Sequence, residues 1–190
     1  NFNIRPATVT ELKVSSTGEK SVKLSWKKVT GADSYAIYRY DSTSKKWQRI
    51  KTVKAVSFTD SGLARAKGYS YKVKAVKKSG GKEYISASYS KSVEAVTKPA
   101  KASCTAKSAG SGSIEVSWKA VGGASGYEIY SSSNGSDYVK SAKVGGSQKS
   151  AIVSGFEPYS LRMVKVRAYK TVNGKTSYGA FSQAVMVIVR

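Results

Sequence analysis

The strongest constraint on the fold is an internal repeat that runs through the whole chain. Ser25-Trp26-Lys27 returns as Ser117-Trp118-Lys119, and residues 31–38 (GADSYAIY) match residues 123–130 (GASGYEIY) at the same spacing of 92 residues. A repeat of this length is within the usual size of a single domain. Pro-Ala pairs at residues 6–7 and 99–100 mark the start of each copy. We therefore predict two homologous domains, residues 1–98 and 99–190.

Within each predicted domain, apolar residues recur at every second position, which is typical of half-buried strands. Residues 22–26 and 114–118 show this alternation in the two copies. No stretch has apolar residues at helical spacing over three turns. Further β-rich runs, closed by turn-forming residues, bring the count to seven strands per domain: residues 9–15, 35–40, 47–53, 57–59, 69–75 and 84–96. The pattern predicts an all-β chain of two tandem seven-stranded immunoglobulin-like β-sandwiches.

The order and spacing of several residues resemble the fibronectin type III family over the whole chain. They are a proline before the first strand, a tryptophan on the second, a Tyr-x-Ile on the third and a leucine followed by tyrosine: Pro6, Trp26, Tyr35, Ile37, Leu63, Tyr69 and Val73-Lys74-Ala75. The resemblance implies that the tryptophan lies between the sheets and that Tyr69 forms a tyrosine corner. The predicted structural core residues are Trp26, Trp118, Tyr35, Tyr127 and Tyr69.

The phrase Gly-Ala-x-x-Tyr-x-Ile-Tyr in both copies is most similar to tandem type III modules of secreted or surface proteins of Gram-positive bacteria. Such modules are spacers, adhesive modules or companions of polysaccharide-acting domains, which implies a secreted or cell-surface location. The chain has no apolar window of about 18 residues, so we expect no membrane insertion. It opens with Asn1-Phe2-Asn3 rather than an export signal. We expect a monomeric segment of a longer protein.

Most catalytic and metal chemistry is excluded by composition, because the chain has no histidine and one cysteine, Cys104. Transition-metal sites usually need these ligands, and Ser-His-Asp or Cys-His catalysis needs an imidazole. Gly174-Lys175-Thr176 resembles the end of a phosphate-binding loop, but Asn173-Gly174 lies between two strands and predicts a hairpin turn. Asn134-Gly135-Ser136 is likewise interpreted as a turn. We expect no catalytic residue, no metal site and no cofactor.

The remaining indication of function in the sequence is a net charge of +22. Residues 1–98 have 21 basic and 7 acidic side chains, and residues 99–190 have 12 and 4. Strand parity sends lysines of the sixth strand and tyrosines of the third strand outward on the same sheet. On the fourth strand, alternate residues share a parity that faces outward if Ile50 faces the core. The predicted ligand face is Tyr38, Tyr40, Trp47, Arg49, Lys51, Lys72 and Lys74.

Three uses of this face remain open. It solubilises the sandwich and protects its edges in a non-catalytic spacer or adhesive module, which is our first hypothesis. Alternatively, it binds a polysaccharide, either an anionic envelope polymer through the lysines or a neutral glycan stacked on the aromatic rings. Another surface protein is a further partner, and an accessory region of a polysaccharide-acting enzyme is the weakest alternative. No helix is predicted that would enter a nucleic-acid groove, so we expect no specific nucleic-acid recognition.

Overall fold

A computed structural model describes residues 4–190, and the opening Asn1-Phe2-Asn3, used above to argue against an export signal, lies outside the described residues. Contacts between Cα atoms group the chain into two compact units. Of the described residues, the first unit comprises 4–63 and Gly68–Thr97, and the second comprises Ala64–Lys67 and Lys98–Arg190. Residues 4–190 contain no helix long and apolar enough to cross a membrane.

The first unit contains eight antiparallel strands in two sheets. They are β1 Lys13–Thr17, β2 Ser21–Ser25, β3 Ser34–Asp41, β4 Lys46–Val53, β5 Ser57–Ser61, β6 Gly68–Ser79, β7 Lys82–Ile85 and β8 Val93–Val96. One sheet has the order β1-β2-β5. The other has the order β4-β3-β6-β7, and β8 also pairs with β6. Their inward side chains form the core.

The second unit repeats this arrangement strand for strand. Its strands are β9 Cys104–Gly110, β10 Ser113–Trp118, β11 Gly126–Ser132, β12 Val139–Gly145, β13 Ser150–Ser154, β14 Leu161–Val172, β15 Lys175–Tyr178 and β16 Val185–Ile188. The smaller sheet has the order β13-β10-β9, and the larger has the order β12-β11-β14-β15 with β16 paired to β14. The predicted β-sandwich class is confirmed for both units.

The seventh strand differs from the prediction in both units. Residues 84–96 were predicted to form one strand, but they form β7 and β8, which pair with opposite ends of β6. Between them, the side chain of Ser90 accepts a hydrogen bond from the amide of Val73 at 3.0 Å. In the second unit, Ser182 makes the same 3.0 Å contact with Val166. Each serine also donates its own amide to the carbonyl of the same valine, at 2.9 Å for Val73 and 2.8 Å for Val166, so the segment between the two short strands stays hydrogen-bonded to the long strand.

Each core is centred on the predicted tryptophan and tyrosine pair. Trp26 and Trp118 are 5% and 6% exposed, and Tyr35 and Tyr127 are buried beside them. The ring centroids lie 5.4 Å apart in the first unit and 5.1 Å apart in the second. Each tyrosine hydroxyl also accepts a hydrogen bond from a loop amide, at 2.9 Å in the first unit and 2.7 Å in the second. The tyrosine therefore fixes the loop that precedes its own strand.

Two of the interpreted turns have the expected backbone geometry. Asn173 and Gly174 both have positive φ, 49° and 75°, and they join β14 to β15 with Val172 opposite Lys175. Two successive positive φ values characterise the tight hairpin turn that suits twisted strands. Asn134 accepts hydrogen bonds from the amides of Ser136 and Asp137, both at 2.9 Å, so this tripeptide is also a turn.

Candidate ligand-binding face

The larger sheet of the first unit presents an outward layer of rings and ammonium groups. Cross-strand register places Tyr38 opposite Lys72 on β6 and places Tyr40 opposite Trp47 on β4. A further ring, that of Tyr89, comes from the segment between β7 and β8. We call this layer the first cation–aromatic face and define it by six residues: Tyr38, Tyr40, Trp47, Lys72, Lys74 and Tyr89.

Most ring surfaces of this face are already in contact with side chains of the same unit. The Lys72 ammonium lies 4.5 Å from the centroid of the Trp47 ring and 5.4 Å from that of Tyr89. The Lys74 ammonium lies 4.3 Å from the Tyr89 centroid. Tyr38 packs edge-on against Tyr89 at 4.9 Å. Contacts of this kind stabilise a surface by about 0.5–1 kcal/mol each, and burial raises the pKa of Tyr38.

Arg49 belongs to the same outward register, but its charge is engaged elsewhere. It lies opposite Tyr38, and its guanidinium donates to Glu83 at 3.0 Å and to Thr52 at 2.6 Å. The hydrogen bond from Arg49, together with its positive charge, lowers the pKa of Glu83. Arg49 therefore lies beside the face, and its guanidinium is bonded to residues of the same unit.

Lys51 does not share this register. The pairing of β3 with β4 shifts between Ile37 and Tyr38, so Lys51 lies opposite the buried Ile37 while Arg49 lies opposite Tyr38. Such a bulge inserts one residue and breaks strict alternation. An unbroken strand from residue 47 to residue 53 would give Lys51 the parity of Arg49, and the inserted residue changes the parity of Lys51.

Tyr69, the remaining predicted core residue, is partly buried and packs against the core cluster. Its ring lies 5.8 Å from the Arg39 guanidinium carbon. Its role as a tyrosine corner stays a prediction.

A buried polar network in the same unit was not predicted. Asp60 is 7% exposed and accepts hydrogen bonds from Arg39 at 2.7 Å and from the fully buried Tyr71 at 2.8 Å. Burial first, and then the hydrogen bond to Asp60, raise the pKa of Tyr71. Burial alone would lower the pKa of Arg39, but the Asp60 carboxylate reverses the direction. At the equivalent register positions, the second unit has the apolar Val153 and Val164.

The second unit carries a related layer at the equivalent positions. Tyr130 lies opposite Lys165, as Tyr38 lies opposite Lys72, and Phe181 takes the place of Tyr89. The Lys165 ammonium lies 3.5 Å from the Tyr138 centroid and 4.5 Å from that of Phe181. We call this layer the second cation–aromatic face and define it by Tyr130, Tyr138, Lys165, Arg167 and Phe181.

A buried carboxylate distinguishes the second face from the first. Glu128 points outward from β11, yet it is only 1% exposed because the surrounding side chains cover it. Arg167 donates to its carboxylate at 2.8 and 3.0 Å, and the Lys140 ammonium lies 3.4 Å away. Burial alone would raise the pKa of Glu128, but Arg167 and then Lys140 hold it below its usual range. The outward direction of Glu128 on its strand therefore does not make its side chain accessible to solvent.

Tyr89 and Phe181 were missed by the sequence argument, although a signal for them was present. Each stands directly before the serine that anchors the segment to the sixth or fourteenth strand, and the Tyr89-Ser90 and Phe181-Ser182 pairs repeat at a spacing of 92 residues. Searching the repeat for aromatic residues outside the strands would have located both rings.

The chemistry available on these faces is attraction of anions and contact with flat or apolar groups. Among residues 4–190, no group of three or more His, Cys, Asp or Glu side chains could hold a metal ion. The buried acids Asp60 and Glu128 are both ion-paired. The lowered pKa of Glu128 makes that carboxylate a poor candidate for proton transfer near neutral pH.

No family model matches the chain. A poly(3-hydroxybutyrate) depolymerase of Ralstonia pickettii is 40% identical to it over 100 residues, which is 53% of this chain and 18% of that protein. The chain therefore spans less than a fifth of the length of this relative.

Two solved structures are similar over nearly the whole chain. A two-domain fibronectin type III segment of chicken tenascin aligns over 95% of this chain and 99% of its own length, with a TM-score of 0.56 and 17% identity. The FN1–FN3 domains of chicken CNTN1 align over 98% of this chain and 68% of theirs, with a TM-score of 0.47 and 19% identity. The chain has the fold of two tandem fibronectin type III domains.

Proposed function

We propose that this chain is a non-catalytic module, residues 1–98 and 99–190, that spaces or attaches other parts of an exported protein acting on a polymer. The similarity to 18% of a poly(3-hydroxybutyrate) depolymerase carries the proposal, because it links the chain to a minor part of a polymer-acting protein. The paired state of the buried acids and the absence of histidine from the sequence support a non-catalytic role. Secretion or surface display is part of the same proposal.

A replacement experiment tests the spacer role. In the longer protein, the chain is exchanged for the two-domain tenascin segment, which has the same fold and a different surface. A spacer predicts unchanged polymer hydrolysis and unchanged adsorption to the polymer. Loss of adsorption with intact soluble-substrate activity would contradict the spacer role and favour direct polymer binding. Acid released from poly(3-hydroxybutyrate) by the chain alone would contradict the non-catalytic assignment.

Polysaccharide binding is the second candidate function, and the repetition of the cation–aromatic face in both units favours it. The arrangement favours anionic over neutral polymers. A neutral sugar stacks on an open ring face, whereas the Lys72 ammonium lies over the Trp47 ring at 4.5 Å and would have to be displaced first. Each ammonium retains its charge over a ring, so it still attracts an anion.

A further inference from the structure

The two faces differ at one register position that controls their charge. Ala36 lies opposite Lys74 on β6, and Glu128 lies at the equivalent place opposite Arg167 on β14. In the second unit the buried carboxylate neutralises Arg167 directly. In the first unit the fully buried methyl group of Ala36 supplies no charge, so Lys74 has no internal counterion at that position.

Lys72, next to Lys74 on the outward side of β6, also has no ion-pair partner among the described residues. Within residues 4–190, Lys72 and Lys74 contact the Trp47 and Tyr89 rings, and Lys74 also donates to the carbonyl of Ala87 at 3.1 Å, but neither forms an ion pair. The acid that accompanies this face, Glu83, pairs with Arg49. Ring contacts leave the positive charge in place.

We infer that the first cation–aromatic face is the binding site for an anionic polysaccharide, with Lys72 and Lys74 as its anchoring cations and Ala36 as the residue that keeps Lys74 available. The inference rests on the second candidate function. The Lys72 and Lys74 ammonium groups lie 5.4 and 4.3 Å from the centroid of the same Tyr89 ring, so they form one cluster of positive charge for the acid groups of the polymer. The partly exposed Tyr40, at 39%, adds a ring and a hydroxyl at the margin of the site.

The geometry favours a polysaccharide over a nucleic acid. Single-stranded nucleic acids bind by stacking bases on open aromatic surfaces, and the Trp47 and Tyr89 rings are covered by ammonium groups. Sugar hydroxyls and acid groups need only hydrogen-bond donors and charge, which the two lysines and the tyrosine hydroxyls provide.

The test measures binding of the full chain to polygalacturonate by calorimetry at 50 and 200 mM salt. Duplex DNA and neutral dextran serve as competing probes. The Lys72→Gln/Lys74→Gln variant should weaken polygalacturonate binding about tenfold at 50 mM salt and flatten its salt dependence. The matched control, Lys13→Gln/Lys23→Gln, removes the same charge from the exposed side of the smaller sheet and should change the affinity less than about twofold.

A gain-of-pairing variant tests the role of position 36. Ala36→Glu places a carboxylate opposite Lys74, as in the second unit, and should weaken binding about as much as Lys74→Gln. If Ala36→Glu fails to fold by near-ultraviolet circular dichroism, the lysine variants decide alone. If Lys72→Gln/Lys74→Gln and Lys13→Gln/Lys23→Gln lose the same affinity for polygalacturonate, the proposed site is overturned. The polymer would then bind through the overall positive charge of the chain. Tighter binding of DNA than of polygalacturonate would overturn the partner.

The outcomes separate this inference from the function on which it rests. Salt-insensitive binding to dextran that survives in Lys72→Gln/Lys74→Gln would overturn the anionic site and leave polysaccharide binding standing. Failure to bind either polysaccharide would overturn both the site and the second candidate function.

Discussion

Replacing Asp60 by alanine should selectively destabilise the first unit. Asp60 is 7% exposed, and its carboxylate accepts from both Arg39 and the buried Tyr71 hydroxyl. Removing one member of a buried charge pair typically costs about 3–5 kcal/mol. The Arg39 side chain is 34% exposed and regains water, which reduces the expected cost to roughly 2–4 kcal/mol. For a domain of this size that corresponds to a fall in Tm of about 10–30 °C.

A double-mutant cycle isolates the hydrogen bond between Asp60 and Tyr71. Tyr71→Phe alone should cost about 1.5 kcal/mol, because the carboxylate loses a buried donor. In the Asp60→Ala background the same change should cost close to nothing, which gives a coupling energy of about 1.5 kcal/mol. Urea unfolding is followed by tryptophan fluorescence in a Trp118→Phe background, where both remaining tryptophans belong to the first unit.

Two results would contradict the coupling of Asp60 and Tyr71. One is an equal loss of unfolding free energy for Tyr71→Phe with and without Asp60, and the other is a loss of less than about 1 kcal/mol for Asp60→Ala. Either result would mean that the carboxylate and the hydroxyl do not depend on each other in solution.

Three further predictions concern the second unit. Tyr127→Phe leaves the Val121 amide without its 2.7 Å acceptor and should cost about 1–2 kcal/mol in thermal unfolding, and no change would contradict the contact. Because the pKa of Glu128 is lowered in the folded state, its contribution to stability is present above about pH 4.3 and is lost as the pH falls through the folded-state value. Glu128→Gln should therefore flatten the stability profile below about pH 5, and an unchanged acid profile would refute the pairing. Gly126→Ala places a methyl group against the Val144 carbonyl and 2.7 Å from the Tyr169 ring, and should cost about 2–3 kcal/mol. Gly145→Ala has open space and should change urea unfolding by less than about 0.5 kcal/mol, and equal effects of the two would contradict the close approach.

Strand alternation and the family resemblance together predicted the core. Trp26 directly follows β2 and Trp118 ends β10, and both continue the inward alternation of their strands, so they are buried between the sheets as the resemblance implied. Tyr35 and Tyr127 were placed by the same repeat. The prediction of two sandwiches followed because both copies show this alternation with the same spacing.

The candidate face was harder to predict because it depends on breaks in that alternation and on long side chains. Lys51 changed parity because β4 contains a bulge. Tyr89 lies in the interruption between β7 and β8, where no alternation exists to place it. Glu128 faces outward on β11 but is covered by Arg167 and its neighbours. Such coverage comes from the conformations of flexible cationic side chains, which alternation along a strand does not specify.

The Asp60 network also makes the strands of the two copies chemically distinguishable. Adjacent homologous domains are prone to misassembly when one copy accepts a strand of the other during folding. If β14 replaced β6 in the first sandwich, the Asp60 carboxylate would meet the methyl groups of Val164 instead of the Tyr71 hydroxyl. If β6 entered the second sandwich, that hydroxyl would face Val153. The first hybrid would leave Asp60 with Arg39 as its only partner, and the second would bury the Tyr71 hydroxyl without an acceptor, so the mismatch disfavours strand exchange within a chain that repeats its own fold.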